Sequence, residues 1–253
     1  MLKKLGLYFV VLGLSWSGFA QNPDIFLYTD RGAWEPGLEN LHEFLVEHDY
    51  SFENKIAAQL QSGELVTEKP QLLIMPGGES WVYLEDLKEQ GGDAIKTFVA
   101  QGGSYLGICA GAFYATSHRK GGAATGPYGI GLLEGTAVDD TALNHSGYIE
   151  GVMDFHWEMG NPFTHGLASQ IKMLLYGGPS FEYSDQEAQR KQVQVVQRFA
   201  HSQKISMIHF KYGKGRVFLA APHFEIKKEA GEEPKHDLAW PFLKRILDSL
   251  MTP

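Results

Sequence analysis

The sequence predicts an α/β fold in which a mainly parallel sheet is covered by helices on both faces. Three observations carry this. Strand-like and helix-like stretches alternate from residue 24 onward. The early strands are short continuous apolar runs, as strands buried on both faces require. Several of these runs stop at glycine- or proline-rich turns, where ligand-binding loops of such sheets lie.

The elements follow in order. Residues 24–28 (DIFLY) are apolar and β-rich, and 29–32 turn. Residues 38–47 carry Leu38, Leu41, Phe44 and Leu45 at helical spacing. A short strand begins at 50–52, and 71–75 (QLLIM) is a buried-type strand stopped by Pro76, Gly77 and Gly78. Residues 94–100 close a helix at Gly102 and Gly103, 104–108 form a strand, and 110–117 read as a helix. The later half is richer in strands, at 171–175, 193–199, 205–210 and 216–220. The last two flank YGKG at 212–215, a hairpin signal. The polar stretches 184–192 and 226–237 read as loops, and 238–251 as a terminal amphipathic helix.

The chain has 253 residues with a formal net charge of −8 and 43% hydrophobic residues. That composition is globular and excludes a disordered or fibrous chain. The acidic balance argues against nucleic-acid binding, which needs clustered Lys and Arg. At the start, Lys3 and Lys4 precede an apolar stretch over 5–14, and Gly18 and Ala20 stand at small-residue cleavage positions. Residues 1–20 are therefore expected to be a signal peptide, and 21–253 one exported, periplasmic domain with no membrane span after cleavage.

The only cysteine is Cys109, in GICAG at 107–111, between a predicted strand and a predicted helix. A sharp strand-to-helix turn exposes its central side chain, flanking glycines admit close backbone approach, and the helix amides favour a thiolate. The alternative is a buried small hydrophobe, the commoner fate of a lone cysteine. A nucleophile needs a base, and the base an orienter. His223 and Glu225, in APHFE at 221–225, follow an apolar strand and supply both. The amides of Gly77 or Gly78, with that of Ala110, are candidates for an oxyanion hole. Asp30 and Arg31 are placed at the same sheet edge, to hold a charged ligand group or to pair with each other. Glu79, Tyr83 and Phe113 are further candidates for substrate contact. Trp34, Trp81, Tyr83, Phe113 and Tyr128 cluster near these loops, to stack on a ligand or to pack the core. His145, His156, His165, His201, His209 and His236 lack metal-ligand spacing, so no metal and no cofactor is expected.

These segments resemble the class I glutamine amidotransferase-like superfamily, and most closely the family of the biotin–protein ligase N-terminal domain. The matching residues are DRGA at 30–33, PGG at 76–78 with Tyr83, GGSYLGICAGA at 102–112, YGGPSF at 176–181, GKGRV at 213–217 and PHFE at 222–225. The resemblance implies a flavodoxin-like three-layer α/β sandwich with Cys109 as nucleophile, His223 as base and Glu225 as orienter. Two positions depart from the glutamine-hydrolysing pattern: Phe113 stands where those members carry Gln, and Phe224 where their last motif carries Pro. Neither a synthetase nor a biotin ligase domain is expected.

The expected function is thus an exported cysteine hydrolase acting on an amide or γ-glutamyl-like bond of a small-molecule or peptide-like substrate. The alternatives are a non-catalytic ligand-binding protein and a thiol-based redox or electrophile-handling protein. A homodimer is the default expectation for oligomeric state.

Overall fold

The computed structural model describes residues 22–121, 125–139, 150–226 and 239–252. The expected signal segment and nearly all of the 226–237 loop lie outside the described residues. In chain order the elements are β1 (Ile25–Tyr28), α1 (Glu35–Glu47), β2 (Phe52–Lys55), α2 (Ala57–Gln61), α3 (Glu64–Thr67), β3 (Leu72–Met75), α4 (Ser80–Gln101), β4 (Ser104–Ile108) and α5 (Ala110–Ala115). There follow β5 (Thr116–Lys120), β6 (Gly126–Pro127), β7 (Leu133–Val138), β8 (Glu150–Trp157), β9 (Gln170–Tyr176), β10 (Ser180–Tyr183) and α6 (Asp185–Lys191). The chain ends with β11 (Gln194–Phe199), β12 (Ile205–Tyr212), β13 (Gly215–Ala220) and α7 (Ala239–Met251).

The central sheet has nine strands in the order β2-β1-β3-β4-β13-β12-β11-β8-β9. The first five run parallel, because β1 through β4 are joined by helical crossovers. Past β13 every pairing is antiparallel. The expectation of a mainly parallel sheet therefore describes one half only. The YGKG turn is a hairpin pairing Tyr212 with Gly215, and short connections of that kind force reversal of direction. The antiparallel half also curls: Leu174 of β9, the far edge strand, accepts a hydrogen bond from the His223 amide at 2.8 Å, just beyond β13.

Burial follows the alternation of side chains along the strands. Ile25, Leu27, Leu72, Ile74, Leu106 and Ile108 pack on one face with α1 and α7. Phe26, Leu73, Met75 and Tyr105 pack on the other, with α2 to α5. This is the three-layer sandwich. A second sheet, β10-β7-β5-β6, adds to the second face and was not anticipated from the sequence.

Two local expectations are corrected. The predicted helix over 110–117 ends at Ala115, because the chain turns into β5 at Thr116. The stretch 184–192 contains a helix rather than a loop. Ser184 Oγ accepts from the Glu187 amide at 3.1 Å, acidic residues occupy the first turn and basic residues the last.

His209 of β12 sits between Phe163 and Phe218, and neither ring nitrogen has a partner among the described residues. Burial, aided by Arg216 and Lys211, pushes its pKa down to about 4. The unfolded chain takes up this proton near pH 6.5 and the folded chain resists until about pH 4. The native state therefore loses stability as pH falls across that window. The loss is on the order of 3–4 kcal/mol at about 1.4 kcal/mol per pKa unit. Thermal melts between pH 7 and pH 4 should show a shallower decline for His209→Leu than for wild type.

Candidate active site

Three adjacent parallel strands build the site. Met75 of β3 pairs with Gly107 of β4, and Ile108 pairs with Ala220 of β13. Pro76, Cys109 and Ala221 therefore leave the sheet at one carboxyl edge, where open α/β sheets bind ligands. Two bonds lock these exits together: the Cys109 amide donates to Ala220 O at 2.8 Å and the Gly111 amide to Pro76 O at 3.1 Å.

Cys109 occupies the turn between β4 and α5 at φ 48° and ψ −102°. Positive φ is costly for a residue with a Cβ and persists only where the surroundings enforce it. The glycine that follows explains how the turn can be so tight. A Cβ on Gly111 would stand 2.1 Å from Met75 O. The thiol is 5% exposed and donates to the Tyr176 carbonyl at 3.4 Å.

His223 is held at the exit of β13. Its Nδ1 lies 2.6 Å from Glu225 Oε1, and both side chains are fully buried. Its other nitrogen, Nε2, is buried without a hydrogen-bond partner among the described residues, as is Glu225 Oε2. Burial alone pushes the imidazole pKa down. The Glu225 carboxylate and then Cys109 push it up more strongly, to about 10. The ring fits because residue 77 is glycine: a Cβ there would stand 2.4 Å from His223 Cε1.

Cys109 and His223 open on one cleft of about 240 Å³, lined also by Gly32, Ala33, Trp34, Glu35, Gly78, Glu79 and Tyr176. Ala33 and Gly78 bridge the first and third sheet-edge loops, through Trp34 N to Gly77 O at 2.9 Å and Glu79 N to Gly32 O at 2.7 Å. This pairing leaves the Gly78 amide without an acceptor among the described residues. The Ala110 amide opens α5, where a helix leaves its first N–H groups without internal acceptors. Of the three candidate residues for an oxyanion hole only Gly78 lines the cleft; Gly77 lies against the imidazole, and Ala110 is buried directly after Cys109.

The other candidates divide. Glu79 lines the cleft, with Oε2 accepting from Trp81 Nε1 at 2.8 Å. Asp30, Arg31, Tyr83 and Phe113 do not line it. Asp30 accepts from the amides of Arg31 and Ala57. Arg31 is exposed and pairs with Asp86 and Glu85 of α4. Tyr83 is buried and donates to Pro76 O and Gly77 O, so it supports the loop from beneath. Phe113 is buried under the Arg119 guanidinium, 4.5 Å from its ring centre. Of the remaining aromatics only Trp34 reaches the cleft; Trp81 is half exposed, and Tyr128 bonds Ser80.

Sequence reasoning assigned no role to Tyr176 or Glu35. Tyr176 stacks on Trp34 with ring centres 5.7 Å apart and planes at 7°. Trp34 in turn meets His223 edge to face at 4.8 Å. The signal for Tyr176 was the YGGPSF motif, which marks the end of β9; the signal for Glu35 was its place directly after Trp34.

Residues 24–124 match the family described as biotin-protein ligase, N terminal. An uncharacterized protein of Chlamydia muridarum is 26% identical over 224 residues, covering 81% of each chain. The biotin–protein ligase of Schizosaccharomyces pombe is 27% identical over 179 residues, which are 62% of this chain and 26% of that enzyme. Among solved structures, a glutamine amidotransferase superposes with a TM-score of 0.60 at 18% identity, covering 90% of this chain and 98% of the other. A glutamine amidotransferase of Thermotoga maritima gives 0.57 at 13% identity, covering 92% and 99%. At these identities the structural likeness is one of fold. The family match thus covers the first part of the chain, and the shared fold covers nearly all of it.

Proposed function

We propose that this chain, with a biotin–protein ligase N-terminal signature on a glutamine amidotransferase-like fold, is an exported cysteine hydrolase of small amides or γ-glutamyl-like compounds. The observation that carries the reading is the strained Cys109 turn sharing one cleft with a buried His223 bonded to Glu225 at 2.6 Å. In the proposed cycle His223 already carries its proton, held by the Glu225 carboxylate, and Cys109 reacts as the thiolate paired with that imidazolium. The thiolate attacks the amide carbonyl, and the amides of Gly78 and Ala110 receive the developing oxyanion. The C–N bond breaks, and the His223 imidazolium gives its proton to the departing amine. Water then attacks the thioester as His223 takes its proton. The C–S bond breaks, the carboxylic acid leaves, and the thiolate is restored.

A second reading, ligand binding without chemistry, is favoured by one observation: Cys109 Sγ donates to the Tyr176 carbonyl at 3.4 Å. Alkylation by iodoacetamide, followed by intact mass, separates the two. An assembled thiol–imidazole pair should make His223→Ala at least about ten-fold slower than wild type at pH 7. Equal rates in the two proteins would reject hydrolysis through this pair and leave binding as the reading.

A further inference from the structure

The charged side chains on the cleft wall are of one sign. Glu35 and Glu79 line it, and no Lys or Arg does so among the described residues. Nearby cations are committed elsewhere, Arg31 to Asp86 and Glu85 and Arg119 to Asp139. The same wall carries the stacked Trp34–Tyr176 pair. Carboxylates beside aromatic rings attract an ammonium or guanidinium group through charge and through the ring quadrupole. They repel a carboxylate. In the same lining, the buried Nε2 of His223, which has no hydrogen-bond partner among the described residues, marks where a ligand atom completes the polar set.

We infer that the cleft selects a small amide bearing a cationic group a few bonds from its carbonyl, and excludes free glutamine and other amides bearing a carboxylate. The inference rests on the cleft being the amide site. A volume of about 240 Å³ suits an amino-acid-sized acyl group rather than a long peptide. The cation sits between the Glu35 and Glu79 carboxylates and the aromatic wall, with the amide carbonyl over Cys109. Free glutamine would bring its α-carboxylate toward Glu35 and Glu79, with no Lys or Arg of the described residues on the cleft wall to offset it.

The test uses three amides of matched length: 5-aminopentanamide, hexanamide and adipic acid monoamide. Calorimetric titration into the Cys109→Ala protein measures affinity without turnover, and ammonia release by wild type measures hydrolysis. The expected result is cationic over neutral over anionic, with at least a ten-fold spread between the ends. That spread should shrink to less than three-fold in Glu35→Gln/Glu79→Gln, whose surface substitutions leave the fold intact by circular dichroism. Equal affinities, preference for the anionic amide, or binding of none of the three would overturn the inference. Cationic preference in binding without ammonia release from any of them would sustain the inference while rejecting hydrolysis. Ammonia release from all three at equal rates would do the reverse.

Discussion

Cys109→Ala should lower amide turnover by at least about 10³-fold while leaving the melting temperature close to wild type. The first half follows from chemistry. With no sulfur there is no acyl-thioester, and the His223 imidazolium is left with neither a thiolate to pair with nor a covalent intermediate to resolve. What remains is stabilisation by the Gly78 and Ala110 amides and by binding, the residual level typical of sites that lose their nucleophile. The second half follows from the backbone. Cys109 has φ 48°, and the cost of that conformation comes from the Cβ, which alanine keeps. The strain is the same in both proteins, and the lost sulfur makes one hydrogen bond, to Tyr176 O. Ammonia release and differential scanning calorimetry on the same preparations check both halves. Turnover within ten-fold of wild type would place the chemistry elsewhere. Unfolding at a much lower temperature would mean that the thiol is a packing element, as a buried lone cysteine often is.

The legible part of the site is the part written in consecutive residues. The GICAG turn and the APHFE exit each follow an apolar strand, so local pattern alone puts Cys109 and His223 at strand ends. It is the parallel register of β3, β4 and β13 that makes those ends neighbours. Arg31 and Phe113 stand off the cleft wall, and sequence adjacency to an edge loop says nothing of which way a side chain turns. Arg31 turns out to Asp86, and Phe113 turns in under Arg119. Tyr176 could not be placed by any local rule. It enters through the curl of the antiparallel half, which brings β9 back to His223 across 49 residues of chain. The same limit hid the second sheet, since β5 and β7 are short and partly exposed, with no clean alternation to read. The α6 helix was different: its Ser184-x-x-Glu187 start was in the sequence, and a wholly polar stretch was read as a loop.

Glu225→Gln should cost turnover about 10²–10⁴-fold, the range for a positioned acid–base group, and should change how stability responds to alkali. In wild type the buried imidazole is desolvated, yet the carboxylate 2.6 Å from Nδ1 and the nearby Cys109 hold its proton up to about pH 10. In the unfolded chain the same proton leaves near pH 6.5. A folded pKa above the unfolded one contributes stability that is complete below about pH 6.5 and is lost as pH rises through about 10. Wild type should therefore melt at progressively lower temperature across that interval. Glutamine preserves shape and can still accept from Nδ1–H, but it brings no charge, so burial then dominates and the imidazole stays neutral at pH 7. The variant's melting temperature should be nearly flat from pH 6.5 to 10, and its Cys109 should alkylate more slowly at pH 7 than that of wild type. A variant with the wild-type alkaline slope would mean that Glu225 does not hold the His223 proton, and that the pair is a buried hydrogen bond with no part in activating the thiol. The two outcomes also separate positioning from packing. A merely structural Glu225 would lower stability by the same amount at every pH, whereas a carboxylate that sets the charge of its neighbour acts only over the range in which that neighbour titrates.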